Sequence, residues 1–523
     1  MNHSDLEGSS KKVEEDYAVT TKKASSDDSY DLEEKGIDDL HETTVKESKL
    51  NIIDRIAAKL NAETKGIDLI TDEEKTDNSL WGAASMWLSA NLVIATYALG
   101  ALGITVFGLS FWQSVLVIIF FSFMGVVPVA WLSIFGPKMG LRQMVLSKFL
   151  FGDITMRIFS VINLVACVGW GAVNIMSSAQ LLNMVNNGAV PPWAACLVFI
   201  GGTIMVTFFG YHVIHLYEKW SFIPNAAVFI AIICRMAMSG NFTWGDMKGG
   251  PTTAGNVLSF GGAVYGFATG WTTYASDYTV YQPRNANSTK IFFAILAGLW
   301  TPILFTMILG TACATGTLSN TRWAELYKTK SVGGLVYAVL VEDSLHGFGQ
   351  FLMVVLSLST IANNIPNMYS IALSAQAIHP IFEKVPRIFW TIFANFVTLA
   401  IAIPGYYSFE EVMDNFMNLI GYYLAIYQSL FASEHFVWNH NKFNYEYWRY
   451  KDRKAYPLGL AGTFGFCCGI AGVVIGMNQV WFSGPVGRLI GDNGGDVGFE
   501  LGFAFAFVGY NATRGFEKKY IGR

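Results

Sequence analysis

Charge is scarce in this chain once its first eighty residues are passed. Of all residues 14% are Asp, Glu, Lys or Arg, 52% are hydrophobic, and the mean hydropathy is +0.38. Two runs, Ile291 to Thr321 and Phe348 to Ala377, contain no charged residue. Such runs exclude a water-soluble fold for a chain of 523 residues. Cysteine is sparse too. The six present (Cys167, Cys196, Cys234, Cys313, Cys467, Cys468) all fall in apolar stretches, which excludes a secreted disulfide framework and predicts free, buried thiols. Also missing are HExxH, GxSxG and a GxxxxGK loop followed by Ser or Thr, so no enzyme is expected. His212 and His215 stand three apart with no third ligand nearby, and no metal or cofactor is expected. No basic-then-apolar leader follows Met1, so the first membrane helix is expected to direct insertion.

What is present is apolar length. A helix crossing the hydrocarbon core takes roughly 20 apolar residues, and hydropathy predicts about twelve. They lie near Ala84 to Leu109, Phe111 to Gly136, Ile158 to Leu182, Trp193 to Gly210, Ser221 to Met238 and Ala254 to Ser276. The others lie near Ile291 to Thr315, Phe348 to Ala377, Ile388 to Ile403, Met413 to Phe436, Leu458 to Trp481 and Val497 to Phe516. A shorter helix at Gly333 to Val341 is expected at the surface. The first 80 residues differ, with 11 Lys or Arg against 21 Asp or Glu, and read as a solvated acidic tail. With the tail so acidic and a net charge of only -4, the remainder is net positive, as suits loops facing anionic headgroups, and no nucleic-acid footprint is implied. Lys and Arg concentrate in the connections on the tail's side, most of all at Lys442 to Lys454, which predicts both termini in the cytosol. The sequon at Asn241 would then face outward, where a chance match explains it equally well.

Two spans carry glycine clusters, Gly100 and Gly103 in the first and Gly261, Gly262, Gly266 and Gly270 in the sixth. Close helix packing explains them. Their recurrence five spans apart also fits broken helices in two inverted halves of a transporter, where unwound backbone meets the solute.

Polar residues inside the spans carry the functional signal. The eighth span contains Asn363, Asn364, Ile365, Pro366 and Asn367 amid thirty uncharged residues. An unsatisfied amide costs roughly 4 to 8 kcal/mol in an alkane-like medium, so these groups need partners in protein, water or ligand. Pro366 removes a donor and predicts a local break. Asn363 and Asn367, like Trp170 and Asn174 in the third span, are four residues apart and share a helix face. Trp271 follows the sixth-span glycines. Flat heteroaromatic rings stack on aromatic faces, and an Asn amide matches adjacent donor and acceptor atoms on a base edge. An interhelical hydrogen-bond cluster without ligand is the competing explanation.

From Leu60 onward the chain resembles the fungal purine–cytosine permeases of nucleobase:cation symporter family 1. The resemblance is carried by LNAETKGI at Leu60 to Ile67, DEEKTD at Asp72 to Asp77, ASMWLSAN at Ala84 to Asn91 and YALGALG at Tyr97 to Gly103. Further on it is carried by CVGWGAVN, GWTTYASDYTVY and STIANNIPNMY at Ser359 to Tyr369. It implies an all-α integral membrane protein of the leucine-transporter type, with two inverted five-helix repeats and two peripheral helices. The parts would be a tail at 1–80, repeats at 81–240 and 241–437, and the last two helices with the C-terminal tail at 438–523. It also implies import of adenine, guanine, hypoxanthine and cytosine at the plasma membrane, with uracil, allantoin, thiamine or pyridoxine as the alternative within the family. By resemblance, Trp170 and Trp271 sandwich the base, Asn174 holds one edge, and Asn363 with Asn367 and Pro366 form the opposite side. Thr96 stands where related permeases tend to have serine and is a further contact. The coupling ion is expected to be a proton rather than sodium. Sodium-coupled relatives place hydroxyls on the eighth helix near a break in the first, and Ser359 and Thr360 are candidates for that position, with Asp277 a candidate proton carrier. Glu218, Glu434 and Glu500 are expected at the interface, and tail lysines Lys11, Lys12, Lys22 and Lys23 are candidate ubiquitin acceptors.

Overall fold

The computed structural model of the protein describes residues 66–186, 188–208 and 220–522. The tail before residue 66 with its lysines, the pair His212 and His215, and Glu218 lie outside the described residues.

In lipid the backbone must bond to itself, and helices do so within one segment. Each predicted apolar stretch has a helical counterpart. The first is split into α1 (Leu80–Asn91) and α2 (Ile94–Thr105), which meet at 53°. α3 (Phe111–Leu132) follows, capped by Ser110 and Gln113 in a reciprocal box. Short helices α4 (Phe135–Met139) and α5 (Gln143–Phe151) lead into α6 (Asp153–Val185), α7 (Pro192–Phe208) and α8 (Phe222–Ser239). α9 (Pro251–Thr269) gives way to a 3-10 turn at Thr272–Tyr278, and α10 (Ser288–Ser319) runs unbroken. α11 (Thr321–Leu340) joins α12 (His346–Ser357) and α13 (Ser359–Ile378). α14 (Pro380–Glu383), α15 (Arg387–Gly405), α16 (Phe409–Ala432), α17 (Leu460–Gly476) and α18 (Gly498–Ile521) complete the order.

Polarity runs opposite to that of a soluble protein. Phe120, Val165, Phe396 and Val508 are 63 to 67% exposed, whereas Asn163, Asn174, Asn363, Asn364 and Asn367 are at most 1% exposed. A lipid-facing exterior and an amide-lined interior account for both. Of the six thiols, all free, Cys167, Cys196 and Cys313 are buried, but Cys234 and Cys467 face outward, because an apolar stretch here has a lipid side as well as a core side.

The sixth span ends at Gly270, within its glycine cluster, but the first breaks elsewhere than its glycines suggest. Val93, extended at φ -135°, interrupts the first span, and Gly100 lies in continuous helix beyond it. A Cβ on Gly100 would stand 2.0 Å from the Met307 carbonyl oxygen, and one on Gly310 would stand 1.9 Å from that of Tyr97. These glycines let α2 and α10 touch backbone to backbone. Gly266 does the same for α9 and α16, its added Cβ falling 1.8 Å from the Met417 carbonyl oxygen. Gly266→Ala is therefore expected to lower stability by about 1 to 3 kcal/mol through overpacking, read as a lower unfolding midpoint in detergent. An unchanged midpoint would contradict this packing.

Two further expectations fail. α13 continues through Pro366, and the eighth span breaks at Leu358 instead, eight residues earlier. The segment Gly333 to Val341 is buried, apart from a partly exposed Tyr337, rather than superficial, because Gly333 lies against the Gln180 backbone of α6.

The segment from Ile70 through DEEKTD, which forms a 3-10 turn at Asp72–Glu74, ties neighbouring loops together. Ile70 N donates to Gly140 O at 2.9 Å, Asp72 pairs with Arg284 at 3.0 Å, and Lys75 Nζ donates to Pro137 O at 2.8 Å. Glu434 is buried, not interfacial, and is bound by Arg514 at 2.9 Å. Arg514 also meets Glu517 at 3.2 Å, whose carboxylate takes the amide protons of Gly459, Leu460 and Ala461 at the start of α17.

Candidate functional site

The two breaks and α13 converge on α6. Where the first span opens, Ile94 N has no helical acceptor and donates to Ser359 Oγ at 3.2 Å. Thr96 Oγ1 donates back to Asn91 O at 2.8 Å and so helps hold the break. In the sixth span, Thr272 Oγ1 donates to Thr269 O at 2.7 Å, and Tyr274 leaves helical geometry at φ -141°, ψ 19°. The chain therefore turns at Gly270 and Trp271. A Cβ on Gly270 would lie 2.5 Å from Trp170 Cζ2, so only glycine admits the α6 indole there.

Trp170 and Trp271 come together with ring centroids 6.4 Å apart and planes 16° from parallel. A flat ring between two others needs about 7 Å, twice the roughly 3.5 Å of close carbon contact. The two indole planes already have close to the mutual orientation that a sandwich requires, at a centroid separation just under that distance. Phe267 and Phe416 meet the edge of Trp170 at 5.4 and 5.6 Å. Trp87 meets Trp271 at 5.0 Å.

The amides form one cluster beside the indoles. Asn174 Nδ2 donates to Asn363 Oδ1 at 2.6 Å and to Asn364 Oδ1 at 2.9 Å. Asn363 Nδ2 donates to Ala90 O at 2.5 Å, which fastens α13 to the last turn before the first break. Asn367 Nδ2 donates to Asn363 O at 3.2 Å, and Tyr274 OH donates to Asn367 Oδ1 at 2.9 Å. Trp271 Nε1 donates to Asn91 Oδ1 at 3.1 Å. On α6 the acceptor Asn174 Oδ1 and the donor Trp170 Nε1, one helical turn apart, are buried without a partner, as is Trp87 Nε1 beside Trp271.

The structure thus gathers Trp170, Asn174, Trp271, Asn363 and Asn367. Pro366 lies within the buried face of α13, with no break at it. Thr360 pairs with Ser178 at 2.6 Å. Asp277 lies apart from the cluster, its Oδ1 accepting from Gln143 N at 2.7 Å and its carbonyl from Arg142 at 2.8 Å. Sequence reasoning missed Asn91, Tyr274 and Phe416, and named Asn364 only as one of the costly amides of the eighth span. Asn91 stood in the ASMWLSAN stretch and carried an amide at a span's midpoint, the same signal that marked Asn363. A crevice of about 320 Å³ opens on the far side of Gly169 and Phe416, but Val165, Val168, Phe393 and Val397 give it apolar walls and no hydrogen-bonding edge.

Residues 70–486 match the family model described as permease for cytosine/purines, uracil, thiamine, allantoin. The purine-cytosine permease FCY21 of Saccharomyces cerevisiae is 55% identical, over 94% of this chain and 93% of its own length. The purine-cytosine permease FCY2 of the same organism is 56% identical, over 91% and 90%. Among solved structures, Mhp1, a nucleobase-cation-symport-1 family transporter in a closed conformation with bromovinylhydantoin bound, superposes with a TM-score of 0.63. It is 15% identical, covering 88% of this chain and 95% of Mhp1, and shares the all-α membrane transporter fold. The chain is a multi-pass membrane transporter, not an enzyme, and belongs to the family of permeases for cytosine/purines, uracil, thiamine and allantoin.

Proposed function

We propose that this protein imports purine bases (adenine, guanine, hypoxanthine) and cytosine across the plasma membrane by alternating access and proton symport, with both termini in the cytosol. The observation that carries the reading is the near-parallel pair Trp170 and Trp271 beside an unpaired indole N–H and an unpaired amide oxygen on α6. A base presents two aromatic faces and, along one edge, adjacent donor and acceptor atoms that match those two orphans. Pairing both relieves roughly 1 to 3 kcal/mol for each buried group, and stacking adds a similar amount per face. The names of the relatives, purine-cytosine permeases, support the same substrate class.

Uptake of radiolabelled cytosine into cells lacking their own base permeases tests this. Unlabelled adenine, guanine and hypoxanthine are expected to compete. Competition by uracil, allantoin, thiamine or pyridoxine alone would replace this reading with that of a related heterocycle symporter.

A further inference from the structure

Resting on the proton-coupled reading, the structure assigns the coupling proton to two carboxyls outside the indole–amide cluster, Asp414 on α16 and Glu500 on α18. The remaining acids inside the bundle are otherwise engaged. Glu434 and Glu517 are bound by Arg514, Asp153 by Arg157, and Asp277 by the Gln143 amide. Asp496 receives four donors, the Tyr422 hydroxyl, Gln479 Nε2 and the amides of Asn478 and Gly498.

Asp414 and Glu500 differ from all of these. Among the described residues no Lys or Arg pairs with either. Asp414 is contacted by Asn418 Nδ2 at 3.1 Å, and Glu500 Oε2 is buried without a hydrogen-bond partner. Asp496 is the charged neighbour of both. Asn418 itself is 2% exposed, and its Oδ1 is unpartnered while pressed against Gly262 of α9. The remaining titratable or charged groups near the cluster are Tyr422, Tyr265, Asp492, which takes the Thr252 hydroxyl, and Arg488, which donates to Ser483 O. A carboxylate held between helices with no cation beside it is costly to keep charged, which makes these two groups fit to take up and release a proton.

The cluster is wired to the solute site. Tyr265 stacks on Phe499, the neighbour of Glu500, with centroids 4.0 Å apart, and donates to Gln428 Oε1 at 2.7 Å. Gln428 Nε2 donates to Thr272 Oγ1 at 3.1 Å, one residue beyond Trp271. Phe416, two residues from Asp414, rests on the edge of Trp170. Protonation converts carboxylate to neutral acid with no other bond made or broken. The neutral form lets α16 lie on the glycine face of α9, at Gly262 and Gly266, and so holds Phe416 on the indole. Loss of the proton restores the charge, loosens that contact and frees the base.

Asp414→Asn and Glu500→Gln, singly and together, test this in the full-length protein in proteoliposomes. The expected result is that exchange of internal for external base persists, while uphill accumulation and its dependence on external pH are lost. Accumulation by the double variant with wild-type pH dependence overturns the assignment. So does loss of exchange in both single variants at normal protein level, which marks a structural role. Wild-type accumulation that ignores a proton gradient and follows sodium instead overturns proton coupling itself, a distinct failure.

Discussion

Asn363→Ala is expected to abolish base uptake while the protein still reaches the membrane. Asn363 Oδ1 takes a proton from Asn174, and its Nδ2 gives one to Ala90 O beside the first break. Alanine removes the link between α13, α6 and the unwound part of the first span together. Asn174 keeps Asn364 as an acceptor at 2.9 Å, so folding loses only a few buried hydrogen bonds, at about 1 kcal/mol net each. The site loses its geometry. Misplaced polar partners cost roughly 1 to 3 kcal/mol apiece, and two of them reduce binding about a hundredfold or more. Initial rates of tracer uptake, normalised to surface protein, check this. Wild-type rates would remove the amide cluster from the site.

Trp170→Ala is expected to have an effect of similar size by a different route. The α6 indole is held by Gly270 beneath it and by Phe267 and Phe416 at its edge, and it supplies one of two stacking faces. Losing a face costs about 1 to 3 kcal/mol, and the cavity left beside Trp271 adds more by admitting water or collapsing. Trp170→Phe separates the contributions. It keeps a face but loses the unpaired N–H, so uptake persists with KM raised roughly tenfold, as for one hydrogen bond of about 1.4 kcal/mol. Equal behaviour of the two variants would show that stacking is not what Trp170 provides. Normal uptake in both Trp170→Ala and Asn363→Ala would end the nucleobase reading altogether.

The glycine clusters show how one composition carries two meanings. Gly100 and Gly103 pointed to a broken first span, and the span is broken, yet at Leu92 and Val93, which no local rule marks. Glycine lets a helix interior approach a neighbour, as Gly100 approaches Met307. A break needs an outside acceptor for the freed amide, and that acceptor, Ser359, lies 265 residues along the chain. Pro366 misled in the opposite sense. Its missing amide removes one bond from a helix that neighbours on every side keep in place, so α13 passes through it, and the bend falls at Leu358. Glu434 looked interfacial because a buried charge is costly, and its compensation comes from Arg514, eighty residues away.

Composition and periodicity alone determined that this chain lives in lipid, that it crosses many times, and that Trp170, Asn174, Trp271, Asn363 and Asn367 are polar or indole groups set inside apolar spans. Apolar length and polar groups placed where they are costly are local properties, legible residue by residue. Only the folded bundle decided which amide meets which, where two helices open, and which carboxyls stay without a cation. Those outcomes depend on partners from distant spans, since a hydrogen bond or an ion pair inside a membrane is defined by the group opposite and not by the residue that offers it.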